Sequence, residues 1–135
     1  MATYKKEKGF AVQTLSSDTA ASIAATGTWA AGGNLNTARS DLAGLGIETS
    51  TMAVGGYAST GTQSAVETYD GSSWTEITEL NAARNSLGGF GATNTAAIAC
   101  GGRTPTVAKT ESWNGSAWTE VNDMNTARFS MNISG

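Results

Sequence analysis

The side chains with chemical potential in this 135-residue chain recur at fixed intervals. Arg39, Arg84 and Arg128 lie 45 and 44 residues apart, and Glu67 and Glu111 lie 44 apart. Two carboxylates are the equipment of a glycoside hydrolase, but that chemistry needs them close together. Carboxylates in equivalent places of successive units stand apart, so no hydrolase is expected. One cation repeated in every unit suits architecture better than a binding site. A guanidinium is a planar fork of donors, suited to neighbouring carbonyls or to the glutamate of an adjoining strand. The chain has no histidine, which excludes a Ser–His–Asp relay and His-ligated zinc. Cys100 is the single cysteine, so no internal disulfide can form. In its apolar run, Ala96 to Cys100, it reads as a small buried hydrophobe. Glycine runs such as Gly88-Gly89 lack the Lys-Ser/Thr ending of a phosphate-cradling loop. No catalytic residue, cofactor or metal ion is expected.

Composition narrows the partners. Only 14% of residues are charged and the net charge is −3, against about 25% charged in ordinary soluble domains. The surface must therefore carry Ser, Thr, Asn and Gly. Nucleic-acid binding, which needs a basic face, is not expected. Nor is membrane insertion, because no stretch approaches the roughly 20 apolar residues that span a bilayer. Met1 to Gly9 has three lysines without an apolar run behind them, which does not read as a signal peptide.

The elements that position these residues come from an internal repeat. Leu35-Asn36-Thr37-Ala38-Arg39 returns as Leu80-Asn81-Ala82-Ala83-Arg84 and as Met124-Asn125-Thr126-Ala127-Arg128. Trp29, Trp74 and Trp118 lead the three copies, Gly55-Gly56 matches Gly101-Gly102, and Glu67 to Trp74 matches Glu111 to Trp118. Each unit reads as four short strands: Ser40 to Ile47, Thr51 to Val54, Ala65 to Tyr69 and Trp74 to Leu80 in the first. The second has Asn85 to Ala92, Ala96 to Cys100, Ala108 to Trp113 and Trp118 to Met124. Asp70-Gly71 and Asn114-Gly115 predict hairpins with two-residue type I′ turns. No segment keeps a 3.6-residue apolar period, so the fold class is all-β.

A repeating four-stranded unit of about 45 residues is the signature of a propeller blade. The sequence resembles kelch repeats on Gly55-Gly56, Glu67, Tyr69-Asp70, Trp74 and Arg84, and again on Gly101-Gly102, Glu111, Trp113-Asn114, Trp118 and Arg128. Trp113 and Asn114 depart from the family's Tyr and Asp. The resemblance covers residues 29–135 and implies kelch-like β-propeller blades: units 40–80 and 85–124, with flanking strands 29–34 and 129–135. Phrases such as "NLNTARSDLAGLG" and "VETYDGSSWTEI" are similar to low-charge kelch-like arrays in virion proteins of marine tailed phages. The opening "MATYKKEKGFAVQTLSSD" resembles the start of phage tail-fibre and head-fibre proteins.

From these features we expect Trp29, Trp74 and Trp118 to fill the wedge between neighbouring sheets. Trp113, within the repeat, is one ligand candidate, and residues outside the repeat are better ones: Tyr57, Arg103, Thr104 and Pro105. These four follow the Gly-Gly pairs, where the two copies differ in length (Gly56 to Glu67 is 11 residues, Gly102 to Glu111 is 9). Residues 1–28 read as an attachment arm for other virion proteins, carried by Tyr4, Lys5, Lys6, Lys8 and Phe10. Two units cannot close a ring of roughly four to eight blades. Either copies of the chain assemble as a homo-oligomer, a dimer or trimer, or the chain is part of a longer array. The expected role is a non-enzymatic virion structural protein, a tail-fibre or capsid-decoration subunit that attaches to a host surface or glycan. The alternative is a cellular kelch-type protein-interaction module.

Overall fold

The computed structural model describes residues 31–103 and 105–131, together with the backbone of Lys6–Glu7 and Phe10–Ala11. It is all-β, with antiparallel sheets and no helix among the described residues. The chain separates into two units, Met1–Ala31 and Gly32–Gly135. In the first, β1 (Lys6–Glu7) and β2 (Phe10–Ala11) form a two-stranded antiparallel pair. Tyr4, Lys5, Lys8 and Trp29 lie outside the described residues, as do the side chains of Lys6 and Phe10.

The second unit holds two four-stranded sheets of the same design. Sheet one runs β3 (Ala43–Ile47), β4 (Ser50–Val54), β7 (Val66–Tyr69) and β8 (Trp74–Ile77). Between β4 and β7 a small hairpin, β5 (Tyr57–Ala58) with β6 (Gly61–Thr62), takes up the longer of the two variable loops. Sheet two runs β9 (Gly88–Thr93), β10 (Ala96–Cys100), β11 (Thr110–Trp113) and β12 (Trp118–Val121). The register repeats as well, apart from a shift between Ala96 and Ile98 where β10 meets β9. Ala43, Val54, Val66 and Ile77 form one cross-strand row, and Gly88, Cys100, Thr110 and Val121 form its equivalent. No sheet closes on itself among the described residues.

The expected turns are corrected. Tyr69 pairs with Trp74 and Trp113 with Trp118, so each hairpin loop has four residues, not two. Gly71 and Gly115 have positive φ, but Asp70 and Asn114 do not. The reason is a side-chain acceptor. Asp70 Oδ1 takes the N–H groups of Ser72 and Ser73 at 2.8 and 2.9 Å, and Asn114 Oδ1 takes those of Ser116 and Ala117 at 2.9 and 3.0 Å. Asp and Asn share that oxygen, so the departure at Asn114 keeps the loop. The flanking strands also differ in the parts described: 31–34 and 129–131 form no strand. Their backbone makes single cross-repeat bonds in place of a ladder. Gly33 O accepts the Trp74 indole N–H at 3.1 Å, and Ser130 N–H donates to Ser86 O at 2.7 Å.

The core lies between the two sheets. Strand alternation puts Ala43, Leu45, Met52, Val54 and Val66 on one face of sheet one. That face meets Ala97, Ala99, Trp113 and Trp118 of sheet two, with Leu80 and Leu87 at the joint. The glycine-rich inner strands allow the approach: a Cβ on Gly89 would sit 3.0 Å from Ala43 Cβ and 3.1 Å from Leu45 Cδ2. Two polar bonds tie the rims, Asn94 N–H to Ser50 Oγ at 3.0 Å and Thr78 Oγ1 to Ser116 O at 3.1 Å.

Candidate functional site

The repeated polar residues converge on a buried cluster, once per sheet. Glu111, 1% exposed, projects from β11 on the face opposite Thr110 and beside Ala99. Its Oε2 accepts from Asn81 N at 2.9 Å and Asn81 Nδ2 at 2.7 Å, and its Oε1 accepts from Arg84 Nη2 at 2.6 Å. Arg84 also donates through Nη1 to Gly101 O and Lys109 O, at 3.2 and 2.9 Å. Asn81 Nδ2 reaches Trp118 O at 3.1 Å. The Leu80–Arg84 segment, which links the sheets, is thereby fastened to the sheet that follows it.

The same cluster is built on sheet one. Glu67 accepts from Asn36 N at 2.7 Å, from Thr37 N at 3.4 Å and from the Arg39 guanidinium. Arg39 donates further to Gly55 O at 2.9 Å and Ala53 O at 3.2 Å, and Asn36 Nδ2 reaches Trp74 O at 3.1 Å. Burial alone would push the Glu67 carboxyl up. The Asn36 amide, the Arg39 guanidinium and the Thr37 amide outweigh it and hold the group below its ordinary value. Burial draws the Arg84 guanidinium down from its usual range, and the Glu111 carboxylate opposes that pull. Such clusters commit every carboxylate oxygen to a donor. They fix a backbone segment against a sheet.

Two further regularities accompany the cluster, and the sequence did not announce the first. Asp41, Ser86 and Ser130, each two residues after a repeat arginine, all adopt φ of 52°. Ser86 N–H donates to Asp41 O at 2.8 Å, and Ser130 N–H donates to Ser86 O at 2.7 Å. A single hydrogen bond therefore passes from repeat to repeat at one position. Asp and Ser are uncommon in this left-handed conformation, and the change from Asp41 to Ser86 and Ser130 hid the pattern. The second regularity is aromatic: Tyr69 and Trp74 lie 5.1 Å apart, Trp113 and Trp118 5.4 Å, with similar tilts of 36° and 38°.

The third arginine differs. Arg128 is exposed, and its Nε donates to Thr126 O at 3.4 Å. No carboxylate pairs with it among the described ion pairs. Its backbone is nonetheless seated as Arg84 is: Gly102 N–H bonds Arg128 O, as Gly56 N–H bonds Arg84 O.

Of the ligand candidates, Tyr57 is exposed on β5, and its backbone bonds Ser40 in both directions. Arg103 holds the equivalent place in the second repeat, bonded to Asn85, with its guanidinium 5.4 Å from the Phe129 ring centroid. Trp113 is buried between the sheets, its indole N–H donating to Asn94 O at 2.9 Å. It does not share a surface with Tyr57 or Arg103, and Thr104 lies outside the described residues. Trp118 is buried beside Trp113, whereas Trp74 is half-buried. Burial pushes the Cys100 thiol up. Among the described residues, no group of three or more His, Cys, Asp or Glu side chains is placed to hold a metal ion. No described helix is long and apolar enough to cross a membrane. The chain matches no protein-family model and no curated protein.

Proposed function

We propose that this chain is a non-enzymatic structural protein whose two sheets act as kelch-like propeller blades and whose copies associate to cover the open sheet faces. The observation that carries this reading is the duplicated Arg–Glu–Asn cluster. The same Arg–Glu pairing at equivalent places in two sheets, with every carboxylate oxygen held by a donor, serves to fasten sheets. A virion setting, as a tail-fibre or capsid-decoration subunit of a tailed phage, is supported by the resemblance of the repeat spelling and of the N-terminal residues. The uncharged Ser, Thr, Asn and Gly surface suits a particle exterior. In this reading the exposed residues beside the Gly-Gly turns, Tyr57 and Arg103, face outward and contact a host glycan. Proteomic detection of the chain in gradient-purified phage particles from its source is the test. Stoichiometric presence supports the virion role, and absence from intact particles overturns it.

A further inference from the structure

We infer that Asn114–Gly115, in the β11–β12 loop, is a site of spontaneous deamidation whose aspartate product the loop is built to hold. The inference is independent of the role proposed above. Asn114 is the one asparagine of the sequence followed by glycine, and both residues are exposed. The Asn114 side chain folds over its own loop, where Oδ1 accepts the N–H groups of Ser116 and Ala117 at 2.9 and 3.0 Å. The Gly115 N–H takes no part in these bonds. Gly115 has no side chain to shield its nitrogen, and its φ of 94° is one that favours glycine.

Those two bonds activate the amide. The Gly115 nitrogen gives its proton to hydroxide and forms a bond to Asn114 Cγ, while the carbonyl electron pair moves onto Oδ1. Backbone donors within roughly 2.7–3.1 Å of such a developing oxyanion stabilise it, and the Ser116 and Ala117 amides already stand at that distance. Collapse breaks the Cγ–Nδ2 bond, and Nδ2 leaves as ammonia with a proton from water. The five-membered imide then takes up water. Addition at Cγ breaks the new Cγ–N bond and gives aspartate; addition at the Asn114 backbone carbonyl breaks the original peptide bond and gives isoaspartate. Elsewhere the amide nitrogen is held: Asn36 and Asn81 each donate Nδ2 to a tryptophan carbonyl at 3.1 Å, and Thr37 and Ala82 follow them.

Sheet one shows the loop with the acid in place. Asp70 precedes Gly71, whose φ is 97°, and its Oδ1 accepts from Ser72 and Ser73 at 2.8 and 2.9 Å. The Ser73 and Ser72 amides hold the Asp70 carboxyl below its ordinary value, as expected where N–H donors meet an anion. Aspartate at position 114 meets the same pair of donors and keeps the hairpin. Isoaspartate adds a carbon to the backbone and loses the acceptor from its place.

Peptide mapping by mass spectrometry of the full chain, aged at mildly alkaline pH with and without urea, tests this. In the folded chain, conversion at Asn114 is expected to exceed that at every other asparagine. Isoelectric focusing should show a species one charge more negative than the starting net −3. Asn114→Asp is expected to keep the wild-type circular dichroism and melting temperature. An Asn114 that stays an amide in the folded chain, converts only in urea, or converts more slowly than another asparagine overturns the site. An Asn114→Asp variant with a lowered melting temperature overturns the claim that the loop holds the product.

Discussion

Glu111→Gln isolates the buried cluster, because it removes a charge while keeping shape. The amide retains one oxygen, but its NH₂ must face either the Asn81 donors or Arg84. The Arg84 side chain is 2% exposed and cannot shed its proton to escape. Removing one partner of a buried ion pair costs about 3–5 kcal/mol, a large share of the roughly 5–15 kcal/mol that holds a domain folded. With a urea m-value of about 1.5 kcal/mol/M, the midpoint falls by about 2–3 M. Trp113 and Trp118, buried in the core, provide the fluorescence signal. Glu120→Gln is the control: it breaks the exposed Lys109–Glu120 pair, and surface pairs contribute little. A loss below about 1 kcal/mol in Glu111→Gln, with the m-value unchanged, would refute the reasoning, because it would mean that the guanidinium needs no anion there.

Three other outcomes follow from the geometry. The Glu67 carboxyl is held below its ordinary value, so its contribution is complete above the unfolded pKa of about 4.3 and is lost as pH falls through the lower folded value. Urea midpoints between pH 7 and 3 should therefore fall less steeply in Glu67→Gln, and an unchanged acid limb contradicts this. Gly89→Ala must push a Cβ against Ala43 and Leu45 and should cost about 1–3 kcal/mol. Gly44→Ala should be neutral or stabilising by up to about 1 kcal/mol, so equal losses in thermal unfolding contradict the packing. In the β7–β8 loop, Asp70→Asn should keep the wild-type melting temperature and Asp70→Ala should lower it, because only the Oδ1 acceptor is used.

The period and the strands were legible because recurring Gly-Gly pairs, tryptophans and the Leu-Asn-x-Ala-Arg phrase mark the same strand boundaries twice. The arginine–glutamate pairing was legible for a related reason: two opposite charges that repeat together in a charge-poor chain have few other uses. The turn type was not, since Asp-Gly and Asn-Gly fit both a two-residue turn and a longer loop closed by Oδ1. The left-handed Asp41, Ser86 and Ser130 were hidden because neither Asp nor Ser marks a positive φ as glycine does. The burial of Trp113 was also hidden: alternation fixes which face a residue occupies, but not which face the next sheet covers.

The central claim is that the two sheets are one repeated unit fastened by the Leu80–Arg84 segment and the Asp41–Ser86–Ser130 bond line. Amide hydrogen exchange tests it most directly. The account predicts that Asn81 and Ser86, which donate to Glu111 and to Asp41 O, exchange as slowly as Val54 and Ala99 in the central strands, in one cooperative opening. Exchange of Asn81 and Ser86 at the rate of a free loop, with the strand amides still protected, would contradict it.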